Sequence, residues 1–387
     1  SQLVALNFPM IYLDNNATTP IDPLVREAML PFLGENFGNP SSPHAPGRIA
    51  REAVEKARGQ VAILLGARAN EIVFTSGGTE SINTAIRGAL AAQPGKRHIV
   101  TSSVEHSATK NLCEQLAREG CEITWLRVDA TGWPDLDEYR AVLRADTAIV
   151  SLVWANNETG VLFPIEEMAR LADERRIVFH TDAVQAAGKI PIDLSRVPVH
   201  LLSLSAHKMH GPKGVGALFV RSGLGLPSLL LGGGQESGRR AGTENVAGIV
   251  GFGAAAELAK SAPLSEMPRV TKLRDEFERG IRARFPQARF HGAPDNRLPN
   301  TSNFALSGLA ATDLLAALDR LGVCCSVGSA CVSGSPHASH VLRAMGVGDD
   351  EAKSSLRFSF SRMNTPDDVQ GALAALDESA RRLGLGD

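Results

Sequence analysis

Cysteine is scarce, with five in 387 residues, at positions 113, 121, 324, 325 and 331. An odd and sparse set in a chain this long is not a disulfide scaffold, and it points to a reducing, cytoplasmic setting. An excess of charge is also lacking. Lys plus Arg is 40 against 42 for Asp plus Glu, a formal charge of −2. That balance argues against a dedicated nucleic-acid binder or a polybasic membrane anchor. No apolar run approaches the ~18 residues of a membrane span. The best candidate, Ile249 to Ala259, is broken by Gly251 and Gly253 and carries Glu257. Ser1 to Met10 has neither the basic region nor the apolar core of a secretory signal. There is no repeat of fixed period and no low-complexity tract. What is present is a 43% hydrophobic, 21% charged chain able to bury a sizeable core. At roughly 150 residues per domain it holds two or three domains, or one large domain with an appendage.

From about residue 45 to 220 the pattern alternates helix with short apolar strand. Ile49 to Leu65 reads as an amphipathic helix and Ala108 to Arg118 as another. Ile72–Thr75, His98–Thr101, Ile123–Val128, Ala148–Trp154, Ile177–Thr181 and Leu201–Leu204 read as strands. Several are continuous Val/Ile/Leu runs, as expected of strands covered on both faces. Strands alternating with helices predict an α/β fold with a mostly parallel sheet, whose ligands sit beyond the carboxyl ends of the strands. Ser261 to Pro268 reads as a linker. Beyond it, helix Arg269–Phe285, strand Asn303–Leu306, helix Ala311–Leu321 and strand Leu356–Ser359 suggest a smaller α+β domain. The expected division is a large domain over 14–260 and a small one over 261–387 joined by residues 1–13.

The polar residues of interest fall where strands end. Ser76-Gly77-Gly78-Thr79 lies between a strand and a helix, where free N–H groups attract phosphate, or where a turn simply needs glycine and a cap. Asp182 follows an apolar strand, with Gln185 three residues on; it suits a buried cation or a helix cap. Ser205-Ala206-His207-Lys208 ends the next strand. Lysine is rare here, nine against 31 arginines. One placed behind a hydrophobic strand can lose its proton cheaply and act as an amine nucleophile, or be an ordinary solvated lysine. Together, an amine, an acid and an anion cup are what an aldehyde cofactor with a pyridine ring and a phosphate requires. Glu105-His106 and Asn156-Asn157-Glu158-Thr159-Gly160 follow other strands. The imidazole suits ring stacking or proton transfer, though taken alone a satisfied structural histidine is the favoured reading, and the Asn turn suits a ring substituent or is simply a turn. Ser326 to Ser335 is a run of small residues around Cys331, expected to be an exposed, mobile loop with a reactive thiol, whereas Cys324 and Cys325 look buried and inert. His337 and His340 follow closely, but no fourth ligand completes a metal site, and none is expected. Arg357, in a strand-like stretch, suits a substrate carboxylate or a salt bridge.

Together these segments resemble the pyridoxal-phosphate-dependent cysteine desulfurases, in the nitrogenase-type and housekeeping iron–sulfur-cluster branch with a long cysteine loop. The resemblance runs from Tyr12-Leu13-Asp14-Asn15-Asn16-Ala17-Thr18-Thr19 to Leu356-Arg357-Phe358-Ser359. Its strongest motifs are Ser205-Ala206-His207-Lys208, Arg239-Arg240-Ala241-Gly242-Thr243 and Gly328-Ser329-Ala330-Cys331. It implies the fold type I transferase architecture: a large domain with a mostly parallel seven-stranded sheet, and a small C-terminal α+β domain carrying the Cys331 loop, 326–340. It implies pyridoxal 5'-phosphate joined to Lys208, with Asp182 on the pyridine nitrogen and His106 on the ring. Gln185 and Asn157 would touch the phenolic oxygen or substrate. Gly78, Thr79, Ser205 and His207 would hold the phosphate, with Thr243 reaching the neighbouring subunit's phosphate in a homodimer. Arg357 and Asn157 would grip the carboxylate of L-cysteine, and Cys331 would take the sulfur, with Lys208 and a basic His106 moving protons. A sulfur-acceptor protein would then be the partner, serving iron–sulfur cluster assembly, tRNA thiolation or DNA sulfur modification. The competing expectations are another class V aminotransferase or lyase, and a non-catalytic sulfur or metal carrier.

Overall fold

The computed structural model describes residues 10–327 and 338–384. Thirteen strands are present among them: β1 Ile11–Tyr12, β2 Ile72–Thr75, β3 His98–Ser102, β4 Glu122–Leu126, β5 Thr147–Val153, β6 Val178–Asp182, β7 Leu201–Ser205, β8 Gly216–Val220, β9 Arg289–Phe290, β10 Thr301–Ala305, β11 Val323–Cys324, β12 Ser326–Val327 and β13 Ser355–Ser359.

Seven of them form the main sheet in the order β2-β8-β7-β6-β5-β3-β4. All pairs are parallel except those of β8, which runs antiparallel to β2 and β7. β2, β3, β5, β7 and β8 are buried at every position, which is why they read as largely apolar runs with few polar residues. One face packs on helices Ala45–Leu65, Ile165–Glu174 and Val246–Ala259, and the other on helices Gly78–Ala91 and Ser107–Arg118.

A second core holds Leu13 with Val270, Phe277, Phe304, Leu318, Phe358 and Leu376. Its sheet is antiparallel, β12-β13-β10-β9, and Phe304 and Phe358 stack in it with centroids 5.6 Å apart. The chain's start is woven into this unit: β1 pairs with β11, and Asn15 N donates to Ser359 O at 3.2 Å.

Ser261–Pro268 is not an open linker. Ala262–Ser265 is a helical turn, and helix Met267–Arg284 begins with Pro268 in its first turn, where a missing N–H costs nothing. The long helix before β2 likewise starts at Ala45, ahead of Ile49, because Pro46 sits in its first turn and His44 caps it.

Candidate active site

The carboxyl ends of β3, β5, β6 and β7 open onto one cleft of about 670 Å³. Gly78, Thr79, His106, Asn157 and Asp182 line it, as do Gln185, Ser205, His207, Lys208 and Arg357. Residues far apart in sequence are thus gathered in one place.

Asp182 ends β6 and is buried between β5 and β7, with Val153 and Ser203 as register partners. Val184 N donates to one of its carboxylate oxygens at 2.9 Å. Burial pushes its pKa up, while His106, Val184 N–H and Lys208 pull it back. A cation placed in the cleft would hold this carboxyl ionised.

Lys208 closes the single turn that follows β7. Its Nζ donates to Asn16 O at 2.5 Å and to Ala17 O at 2.8 Å. Its neighbour His207 has Nδ1 3.1 Å from Thr18 Oγ1. Burial, then Lys208, bring the His207 pKa down to about 4, so the ring is neutral at pH 7.

Helix Gly78–Ala91 starts without a side-chain cap. Gly77 sits at φ 156, a conformation other residues rarely adopt, and a Cβ on Gly78 would fall 2.8 Å from Val184 Cγ2. Glycine keeps the first turn's N–H groups open toward Ser205 and the cleft, as an anion cup needs. Glu80, in that first turn, accepts from Ser76 N at 2.8 Å and from Arg240 Nε at 2.9 Å. Arg240 thereby moors the segment that bears Thr243. Thr243 itself is exposed and does not line the cleft.

His106 caps helix Ser107–Arg118, its Nδ1 accepting from Ala108 N at 3.1 Å. That bond assigns the ring proton to Nε2. Before it, Glu105 is buried under Ser102 Oγ at 2.6 Å and Val153 N at 3.0 Å, and burial pushes its pKa up to about 8.

Arg357 is 1% exposed. Its Nη2 donates to Asp14 at 2.7 Å and its Nη1 to Asn157 O at 3.0 Å. Its Nε is buried without a hydrogen-bond partner among the described residues. The salt-bridge reading of this residue holds, and the guanidinium also retains an Nε donor without a partner among the described residues in the wall of the cleft.

Cys331 lies outside the described residues, as does His337. Ala338 and His340, directly after that stretch, line the cleft. Ser339 Oγ donates to buried Glu158 at 2.5 Å, and His340 Nε2 lies 2.9 Å from Glu105 O. Before the stretch, Ser326 pairs with Arg357 across β12 and β13. The residues after the Cys331 segment thus line the cleft, and those before it pair with the strand that bears Arg357. None of the four described cysteines lines it. Burial raises the thiol pKa of Cys113 to about 12 and that of Cys325 further. Cys324 is half-buried rather than buried, and its thiol is also raised, by burial first.

Two participants carry no sequence signal of their own. Asn16 takes Lys208 and Gln185 Nε2 (2.8 Å) on its backbone oxygen, takes Asn300 Nδ2 (3.0 Å) on Oδ1, and gives Nδ2 to Thr301 Oγ1 (2.9 Å). Lys189 Nζ donates to Gln185 Oε1 at 2.7 Å. The available hint was spacing: Lys189 is a rare lysine four residues after Gln185.

Residues 11–371 match the model of the class-V aminotransferase family. Cysteine desulfurase 2 of Trichormus variabilis is 50% identical over 374 residues, 97% of this chain and 94% of the relative. Cysteine desulfurase NifS of Azotobacter vinelandii is 52% identical over 360 residues, 93% and 90% of the two chains. A solved NifS-like protein superposes with a TM-score of 0.90 at 36% identity, covering 96% of this chain and 99% of that one. The chain belongs to the class-V aminotransferase family, within its cysteine desulfurase group.

Proposed function

We propose that this chain removes sulfur from free L-cysteine, releases L-alanine and leaves the sulfur as a persulfide on Cys331. The observation that carries the reading is one cleft holding the Lys208 amine, the buried Asp182 carboxyl, an uncapped Gly-Thr helix start and an Arg357 Nε with no hydrogen-bond partner among the described residues.

The donor set fits pyridoxal 5'-phosphate. Asp182 suits the pyridine nitrogen, whose proton would supply the cation its buried carboxyl calls for. Gly78, Thr79, Ser205 and neutral His207 suit the phosphate, His106 the ring face, and Gln185 and Asn157 the phenolic oxygen. When bound, the cofactor supplies an electron sink that acidifies the substrate's Cα proton.

The chain's own residues do the rest. Arg357, with Asn157, orients the substrate carboxylate. Lys208 Nζ takes the Cα proton and returns it, and the Asn16 and Ala17 carbonyls hold its ammonium between transfers. Cys331, as thiolate, attacks the substrate sulfur: a C–S bond breaks, an S–S bond forms, and the carbon takes up a proton to become alanine. No external oxidant enters that balance. His106 has Nδ1 committed to Ala108, so it moves protons through Nε2. An acceptor protein then takes the sulfur.

We also infer a homodimer. Leu33, Phe37 and Leu231 are 68%, 81% and 87% exposed, a cost that a second copy would remove. Thr243 would then reach the partner's phosphate.

The deciding experiment feeds L-cysteine to the purified, cofactor-loaded protein without any 2-oxo acid. Alanine and reductant-released sulfide should appear in equal amounts. A requirement for a 2-oxo acid would make it an aminotransferase instead, and a colourless protein unable to bind the cofactor would leave a carrier.

A further inference from the structure

Lys189 takes no part in the chemistry above, yet it is 9% exposed and lies behind the cleft. Its hydrogen-bond partners among the described residues are two neutral amides, Gln185 Oε1 at 2.7 Å and Asn16 Oδ1 at 3.5 Å. A buried ammonium with only amide partners is costly, so its placement calls for a reason.

Gln185 supplies one. A primary amide has a donor end and an acceptor end of nearly equal shape, and it flips unless its neighbours tell the two apart. Lys189 offers donors to Oε1. The Asn16 carbonyl offers only an acceptor, to Nε2 at 2.8 Å. Nε2 carries a second proton, and Gln185 lines the cleft.

We propose that Lys189 is a positioning residue: it fixes the Gln185 amide so that its NH₂ end, not its carbonyl, serves the cleft. The inference rests on the function proposed above, in which Gln185 meets the cofactor's phenolic oxygen. An N–H donor there favours the anionic oxygen, and a flipped carbonyl would oppose it. The favoured anion binds the neighbouring imine proton less tightly, so the visible band of the Lys208-bound cofactor titrates at lower pH.

The charges around Lys189 are consistent with a donor role under strain. Lys208 and Arg357 face it from the cleft, and His207 is within its field. His210 and Arg362 face it across a small apolar cavity of about 40 Å³. Burial first, then Lys208 and Arg357, lower its pKa to about 7, so the lock is firmest below that pH.

The test is a pH titration of the visible band in four holoproteins: wild type, Lys189→Met, Gln185→Ala and the double variant. Each single variant should raise the midpoint by about one pH unit. Added to Gln185→Ala, Lys189→Met should then shift it little further. A Lys189→Met titration that superimposes on wild type overturns the proposal. So does an equal Lys189→Met shift in both backgrounds, which would mean a through-space charge effect. Should Lys189→Met fail to fold, an unshifted Gln185→Ala titration overturns it alone. A wild type with no visible band would instead sink the proposed function, so the two failures are distinguishable.

Discussion

Arg357 and Asp14 are 343 positions apart in sequence and meet at 2.7 Å in the wall of the cleft. The pair holds the guanidinium in place while its Nε stays unspent. A substrate carboxylate would complete the fork, which a lysine cannot imitate. Arg357→Lys should therefore raise KM for cysteine at least ~10-fold, the equivalent of about 1.4 kcal/mol, and change kcat less. Steady-state kinetics decide it; an unchanged KM places the carboxylate elsewhere.

Lys208→Ala should abolish the covalent link to the cofactor. Borohydride treatment of the loaded variant should leave no cofactor attached to the chain, as judged by mass spectrometry. A reduced adduct in that variant would transfer the role to another amine, with buried Lys189 the first to check.

Cys331→Ser should keep the visible band and make no alanine or sulfide from cysteine. Full turnover would move the nucleophile, even though the described thiols of Cys113, Cys324 and Cys325 are all pushed toward the protonated form by burial.

Glu236 ties β2 to the long helix Ala45–Leu65. It accepts from Arg58 Nη1 at 2.7 Å, Arg58 Nη2 at 2.8 Å and Phe74 N at 2.8 Å, all buried. Glu236→Ala leaves the guanidinium only the exposed Glu55 carboxylate at 3.1 Å and Ile72 O at 3.1 Å, and should cost about 1–3 kcal/mol of stability. A chemical-denaturation loss below about 1 kcal/mol would contradict it.

His180 bridges Ser151 Oγ at 2.8 Å and Ser203 Oγ at 2.9 Å across three central strands, and burial lowers its pKa from 6.5 to about 3. The unfolded chain therefore binds the extra proton first. The stability this residue contributes is complete above about pH 6.5 and is lost as pH falls toward 3, at up to ~1.4 kcal/mol per pH unit. His180→Gln should flatten the acid side of a stability–pH profile. An unaltered slope would mean the ring is already charged when folded.

The main sheet was legible because most of its strands are sealed on both faces and rich in Val, Ile and Leu, with only isolated Ser, Thr or His residues among them. β8 was not named, although Gly216-Ala217-Leu218-Phe219-Val220 is just as apolar. It follows the Gly/Pro turn beyond Lys208, and nothing local announces its reversed direction. The two-residue strands β1, β9, β11 and β12 are too short for any period, and Pro268 imitated a breaker while starting a helix. In the cleft, Asp182, Lys208 and His106 were readable because each sits next to its own strand end. Asn16 and Lys189 were not, because they arrive through tertiary packing. Asn16 comes from ahead of every strand of the main sheet, and Lys189 reaches in from behind.

The threading of Leu13-Asp14-Asn15-Asn16 between β13 and the Lys208 turn sets a timetable for biosynthesis. Asn16 N needs Ser359 Oγ, at 2.9 Å, before its carbonyl is aligned for the lysine. The ribosome must therefore finish nearly the whole polypeptide before Leu13 to Asn16 find their place. Loading of the proposed cofactor would then be a post-translational event, and nascent chains stalled before residue 359 should remain colourless.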